Sequence, residues 1–302
     1  MMFAVLVPES TILAADEVPA DPGDPSLAWI TVVAFILAPI VLVALARWKG
    51  WRPPSADGRP LPTPWRLTPA WGAGLFAFSM ISGSLFAGLT LDRIPSDASP
   101  VMRSAMSVWG GLAGGLLGCL PAAIAWSRHP RVAEAAPVMS LPRAWIAGII
   151  VLFPAIALVT VCSSVGQLIQ TWLAGESPSP LAHATLQLMV EAPRDLAWWL
   201  LAAAAILGAP LLEEILYRGF LQQSIRRLGV TPWPAILITA GLFSLMHIPA
   251  IPTENRISAL AGLTVLGVVL GLLRERTGRL DACIVTHAGF NIFNLALATA
   301  SV

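Results

Sequence analysis

Charged residues are scarce in this chain: they make up only 12% of its 302 residues, against about a quarter in a typical water-soluble domain. Hydrophobic residues reach 56%, and the mean hydropathy is +0.75. So much apolar surface excludes a water-soluble globule. The eighteen Lys and Arg residues are scattered between apolar runs and form no basic stripe that could follow a phosphate backbone, so no nucleic-acid partner is expected.

Cysteine is also rare. Cys119, Cys162 and Cys283 all lie within apolar segments, and they form neither a C-x-x-C pair nor a Cys/His cluster. Their positions therefore suggest neither a disulfide framework nor a zinc-finger site. The three residues are expected to act as small packing side chains.

Eight apolar stretches are long enough to cross a bilayer as helices, which takes about 20 residues each. They cover residues 27–47, 70–91, 101–126, 144–170, 196–217, 233–250, 257–273 and 282–300. The sequence therefore predicts an all-α, polytopic transmembrane helix bundle of about eight spans. Residues 1–26 are expected to be an extracytoplasmic tail, because they lack the basic start of a signal peptide and Pro8 and Glu9 interrupt their apolar part.

The distribution of cations predicts the orientation. With eight spans and an outer N-terminus, only four of the eighteen cations fall on the outer side, namely Arg93, Arg103, Arg194 and Arg256. The positive-inside rule favours this topology over its inverse. We therefore expect a multi-pass protein of the cytoplasmic membrane, with both termini outside.

Two proline-rich or charged segments, 48–69 and 127–143, are expected to be cytoplasmic loops that divide the chain. The second separates the N-terminal spans and loops, 27–143, from a C-terminal half, 144–302. In the third predicted span, glycine recurs every four residues at Gly110, Gly114 and Gly118. This spacing is typical of a face on which two helix backbones pack closely.

The stretch "LLEEILYRGF" places two adjacent carboxylates, Glu213 and Glu214, inside an apolar span, where each ionisable group is costly. Glu214 and Arg218 stand four residues apart in the favourable order for an ion pair along one helix face. Glu213 points about 100° away from Glu214 around the helix and has no such cation nearby. Glu213 is therefore the chemically available carboxylate, while Glu214 and Arg218 give structural support.

His247, in "FSLMH", is predicted to reach Glu213 across a helical hairpin. Gly229 and two prolines place the reversal near residue 230, so Glu213 and His247 both lie about 25 Å from the turn. We expect residues 219–232 to protrude from the membrane, with Arg218 near its surface. We also expect the short segment 248–256 to fold back into the cavity, where irregular backbone is tolerated.

A second polar ladder lies in the last span, in the stretch "HAGFN". His287 and Asn291 are four residues apart and therefore share one helix face, so they can offer an imidazole and an amide to the same cavity.

The three stretches "EEILYR", "FSLMH" and "HAGFN" resemble the motifs E-E-x-x-x-R, F-x-x-x-H and H-x-x-x-N of the CPBP family in order and spacing. This ABI-like family comprises type II CAAX prenyl endopeptidases and bacteriocin-processing or immunity proteins. The resemblance covers about residues 144–302. It implies a CAAX-protease-like, glutamate-dependent intramembrane endopeptidase.

By this resemblance, Glu213 and His247 would activate a water molecule for attack on a peptide carbonyl, and His287 and Asn291 would bind the developing oxyanion. The substrate would be a membrane-associated peptide or protein, prenylated in the namesake members, held at the lipid bilayer. The family has been called metalloproteases, and Glu213, His247 and His287 could bind Zn²⁺ with one open position. Because the sequence has no H-E-x-x-H motif, a metal-free mechanism is favoured.

Two other functions remain open at this level. A catalytically silent membrane scaffold or immunity protein would bind a partner and would keep its activity in cells after replacement of Glu213 by Gln. A proton-coupled transporter would relay protons through its Glu and His side chains and would show pH-driven flux in liposomes that depends on Glu213.

Overall fold

The computed structural model describes residues 33, 36, 69–122, 124, 139–174 and 184–300. The expected tail 1–26, most of the first expected span, 27–47, and most of the two expected loops, 48–69 and 127–143, lie outside these residues. The described part of the chain is helical and contains no strand. The all-α class predicted from the sequence is confirmed, whereas the boundaries 27–143 and 144–302 stay predictions.

Eight helical segments form the described bundle. They are α1 (Pro69–Leu91), α2 (Pro100–Gly118), α3 (Leu141–Ala174), α4 (Ala184–Glu191), α5 (Leu196–Arg226), α6 (Pro232–Leu245), α7 (Arg256–Thr277) and α8 (Leu280–Ala300). All except the short α4 belong to the seven described stretches that are long and apolar enough to cross a membrane. Six of these stretches begin and end within a few residues of the predicted spans. The helix at the fifth predicted span, 196–217, is longer than expected, because it continues to Arg226.

The glycine face of α2 packs against α1, as its spacing predicts. A Cβ atom on Gly114 would stand 2.5 Å from the carbonyl oxygen of Ser82, and one on Gly118 would stand 2.5 Å from the Cα atom of Ser79. Real Cβ atoms do not approach other atoms so closely. Glycine at these positions therefore lets the two backbones touch.

Helix α7 is packed between α3 and α6, close to the backbones of both. A Cβ atom on Gly262 would collide with the side chain of Ser163 in α3, and one on Gly267 would stand 2.9 Å from the Cα atom of Ala240 in α6. The apolar cluster around these contacts includes fully buried Leu270. As a result, the carbonyl groups of α7 come within reach of the polar side chains on neighbouring helices.

The first part of the expected protrusion, residues 219–232, is not a loop but a continuation of the helix. Helix α5 continues to Arg226, and Gln222 and Gln223 are fully buried. The chain reverses only in the turn that follows, where Gly229 adopts a φ of 84°. A glycine is suited to this left-handed conformation, which side chains with a Cβ atom rarely adopt.

Helix α7 supplies the partners that allow this burial. The Gln222 amide Nε2 donates to the Gly271 carbonyl at 3.2 Å and to Glu275 Oε1 at 2.9 Å, while Arg226 Nε lies 3.4 Å from Glu275 Oε2. Because these polar groups are paired inside the protein, they do not need solvent. Because α5 ends at Arg226, Glu213 lies thirteen residues, or about 20 Å, before the end of the helix.

The segment 248–256 forms two short 3-10 turns, Ile248–Ala250 and Thr253–Asn255, rather than a continuous helix. The amide of buried Gln170 in α3 holds the second turn: Nε2 donates to the carbonyls of Thr253 and Glu254, and Oε1 accepts from the Ile257 amide at 3.0 Å. Asn255, which precedes α7, makes no side-chain cap of its own. Gln170 therefore caps α7 from another helix.

Replacing Gln170 by Leu should lower the free energy of unfolding by about 1–3 kcal/mol, since buried carbonyl and amide groups lose their partner. The measurement is thermal unfolding of the purified protein in detergent. Gln167→Leu, three residues earlier on the same helix at a half-buried position, is the matched control and should change the unfolding midpoint little. Equal midpoints for the two variants would contradict this role of Gln170.

Candidate active site

Helix α5 changes its hydrogen-bond register twice, once on each side of the two glutamates. A π-helical segment, Ala204–Gly208, precedes the α-helical turns Ala209–Glu214, and a second π segment, Ile215–Leu221, follows them. Such wide turns are rare and are frequently found at functional sites. Both carboxylates are buried in the protein, so this helix presents them to neighbouring helices rather than to lipid.

Glu214 and Arg218 form the ion pair that their spacing predicts. Arg218 Nη1 donates to Glu214 Oε1 at 3.0 Å, and both side chains are completely buried. Arg218 Nη2 also donates to the Gly267 carbonyl of α7 at 3.2 Å, and its guanidinium lies 4.7 Å from the centre of the Phe243 ring. The cation is thus bound on three sides inside the bundle.

Glu214 does more than bind Arg218, because His287 of α8 shares the same oxygen. His287 Nδ1 lies 2.9 Å from Glu214 Oε1, and His287 Nε2 lies 3.8 Å from Glu213 Oε2. The sequence predicted only structural support for Glu214. Since a carboxylate oxygen can accept two hydrogen bonds, Glu214 can hold the arginine and orient the histidine together.

His247 lies two residues after the end of α6, one helical turn after Phe243. Its Nδ1 lies 2.6 Å from the Phe243 carbonyl oxygen, which can only accept, so Nδ1 carries a hydrogen. In the neutral ring, Nε2 is then the unprotonated nitrogen. His247 is close enough to Glu213 and His287 for their charges to interact, so the structure brings the three predicted side chains together.

Phe243 is the residue around which these groups are arranged. Its ring centre lies 4.7 Å from that of His247, 5.8 Å from that of His287 and 5.2 Å from that of Tyr217. Sequence reasoning treated Phe243 only as a motif position. An aromatic residue one turn before a buried histidine was the available signal that its ring could support that histidine.

Asn291 lies on α8 one turn after His287, as predicted, and is half-buried. Its Nδ2 donates to the carbonyl oxygen of Ala205, in the first π segment of α5, at 2.8 Å. An amide nitrogen carries two hydrogens, so one remains for another acceptor.

A zinc ion held by Glu213, His247 and His287 does not fit this arrangement. No group of three or more His, Cys, Asp or Glu side chains in the described ranges has the geometry to hold a metal ion. His287 directs one nitrogen to Glu214, and the other is 3.8 Å from Glu213. No reaction step is therefore derived through a metal.

The buried cluster of Gln222, Arg226 and Glu275 was not predicted as part of this region. The signal was present in the sequence, because Glu214, Arg218, Gln222 and Arg226 recur every four residues. These side chains form a polar ladder along one side of α5 that extends from the glutamates to the end of the helix.

Replacing Arg218 by Leu should destabilise the protein by about 3–5 kcal/mol, because Glu214 would be left as a buried charge without its cation. The double variant Glu214→Gln/Arg218→Leu should recover a large part of this loss, since it removes both charges. Thermal unfolding in detergent measures both effects. If the double variant is no more stable than Arg218→Leu, the cost does not arise from the unpaired carboxylate.

The region that contains these groups is similar to known proteins. Residues 195–293, which include all three polar motifs, match a family model described as type II CAAX prenyl endopeptidase Rce1-like. The uncharacterized protein YyaK of Bacillus subtilis strain 168 is 39% identical over 100 residues, 32% of this chain and 33% of that protein. The chain thus spans about one third of the length of this curated relative.

No solved structure matches the chain. The seven apolar helices make it an integral membrane protein. The match includes all three polar motifs, so residues 195–293, about one third of the chain, are similar to the Rce1-like type II CAAX prenyl endopeptidases.

Proposed function

We propose that the Rce1-like region 195–293 hydrolyses a peptide bond of a membrane-associated protein or peptide, with Glu213 and His247 activating water and His287 and Asn291 binding the oxyanion. The position of His287 carries this proposal. Its two ring nitrogens lie 2.9 Å from Glu214 and 3.8 Å from Glu213, so two buried carboxylates and an imidazole converge inside a membrane bundle. Ionisable groups inside a membrane span are energetically costly, and they are therefore usually functional.

Water activation is assigned to Glu213 and His247. The Nδ1 hydrogen of His247 is held by the Phe243 carbonyl, so Nε2 is the nitrogen of the neutral ring that accepts a hydrogen bond from the attacking water molecule in this mechanism. The water oxygen bonds to the peptide carbonyl carbon, its proton passes to Glu213, and the carbonyl electrons move to the oxygen. When the C–N bond breaks, Glu213 returns that proton to the leaving nitrogen.

Stabilisation of the oxyanion is assigned to His287 Nε2 and to the second amide hydrogen of Asn291. Because Nδ1 of His287 donates to Glu214, Nε2 can donate to the oxyanion only when the ring is an imidazolium with a hydrogen on both nitrogens. Glu214 fixes the orientation of the His287 ring through Nδ1, and Arg218 balances the charge of Glu214. Donors that are already oriented in a water-poor site stabilise a developing negative charge without a reorganisation cost. Glu214 and Arg218 therefore act as positioning residues.

The substrate is proposed from the family and from the membrane setting. The peptide would belong to a membrane-bound protein, prenylated in the case of a CAAX-type substrate, and would react beside the polar groups that α5, α6 and α8 bring together. We place the protein in the cytoplasmic membrane with both termini outside, because the positive-inside rule favours that orientation.

Replacing Glu213 by Gln should lower peptide hydrolysis by about 100- to 10,000-fold, because the amide has nearly the same shape but cannot take the proton from water. Comparative proteomics of membrane-associated peptides from wild-type and Glu213→Gln cells identifies the substrate. Its cleavage by the purified protein in liposomes then gives the rate. Glu191→Gln, which alters an exposed carboxylate on α4, is the control and should cleave normally.

Three outcomes would contradict the proposal. Unchanged cleavage by the Glu213→Gln variant would remove Glu213 from the reaction. Unchanged activity in cells without any difference in peptides would favour a scaffold or immunity protein. A pH-driven flux across liposomes that depends on Glu213, without cleavage, would favour a transporter.

A further inference from the structure

The first π segment of α5 contains one carbonyl for which the helix has no donor. The Ala209 amide donates to the Ala204 carbonyl, five residues back, rather than to that of Ala205. In this register, the donor for the Ala205 carbonyl would be the nitrogen of residue 210. That residue is Pro210, and proline has no amide hydrogen.

Asn291 supplies the missing donor from another helix. Its Nδ2 lies 2.8 Å from the Ala205 oxygen, a short hydrogen bond for an amide and a carbonyl. The contact joins α8 to α5 across 86 residues of sequence. It orients the Asn291 side chain, because one hydrogen of the amide is committed to a fixed point on the backbone and the other must point away from it.

We propose that Pro210 is a positioning residue for Asn291: by removing a backbone donor, it reserves the Ala205 carbonyl for the Asn291 amide. The inference rests on the proposed function, in which Asn291 binds the oxyanion. Pro210 is buried, stands three residues before Glu213 and belongs to the same helical turns as both glutamates. It thereby places the oxyanion donor in a defined relation to the residue that activates water.

Proline within a helix usually weakens it, because a hydrogen bond is lost and the ring crowds the carbonyl four residues back. Replacing Pro210 by Ala should therefore let the Ala205 carbonyl take a backbone donor and allow this part of α5 to close into a regular α-helix. Asn291 then shares its acceptor with a backbone amide, and the change of helical register displaces that acceptor from its present position. The unusual expectation is a protein that is more stable and yet less active.

The test uses the full chain in liposomes, with the peptide identified through the Glu213→Gln comparison as substrate. Pro210→Ala should lower kcat about tenfold or more with little change in KM, while the midpoint of thermal unfolding rises or stays the same. Pro210→Gly restores the same amide hydrogen but weakens the helix. It should lose kcat to a similar extent with a lower midpoint, so that activity follows the amide hydrogen and not stability.

Pro154→Ala is the matched control, since Pro154 is a second buried proline within a membrane helix, α3, which carries none of the groups assigned to the reaction. It should keep the wild-type kcat. In addition, Asn291→Ala should cost clearly less in the Pro210→Ala background than in the wild type, because the amide is no longer held there.

Wild-type kcat in Pro210→Ala would overturn the inference, and so would an equal loss in Pro154→Ala. A loss confined to Pro210→Gly, in parallel with its lower midpoint, would also overturn it, because activity would then follow stability. These results differ from a failure of the proposed function, in which Glu213→Gln and Asn291→Ala would themselves cleave normally.

Discussion

The buried ion pair between Glu214 and Arg218 is the interaction on which the arrangement of the C-terminal helices depends. A charge in the interior of a membrane protein is tolerated only when other groups of the protein replace the water it has lost. Arg218 obtains them from Glu214, from the Gly267 carbonyl and from the Phe243 ring, which belong to three different helices. Helices α5, α6 and α7 are therefore held at fixed relative positions by one guanidinium group.

The same ion pair also fixes the position of His287 on α8. Glu214 Oε1 is shared between Arg218 and His287, so the fourth helix is aligned with the other three through a single carboxylate oxygen. Glu213 is left on the adjacent side of α5, at 3.8 Å from the same imidazole. Two neighbouring residues of one sequence motif thus have different roles, because Glu214 binds Arg218 and His287, whereas Glu213 lies beside the other nitrogen of the same imidazole.

Hydropathy was sufficient to predict the described spans, because lipid requires long apolar runs whatever the packing. The end of α5 was not predicted, since Gln222 and Arg226 have the composition of a loop until the carboxylate of Glu275 on α7 is known to face them. Spacing along α5 predicted the bond between Glu214 and Arg218. Spacing could not predict that His287 would share the same oxygen, because that contact joins residues 73 positions apart.

The π segments also escaped prediction. Sequence reasoning assumed regular α-helical geometry, in which each carbonyl is bonded four residues ahead. Pro210 was visible in the sequence, but its effect depends on the register of Ala209, which only the folded helix reveals. The contact between Asn291 and Ala205 could therefore not be derived from spacing on either helix alone.

The cap that Gln170 provides for α7 has a consequence for the order of assembly. The first amide groups of a helix have no partner within that helix, and an apolar environment makes this costly. The ribosome completes α3 before it makes α7, so the Gln170 amide is already present when the start of α7 arrives. The polar side chain that caps α7 in the bilayer therefore belongs to α3, a helix that is synthesised earlier.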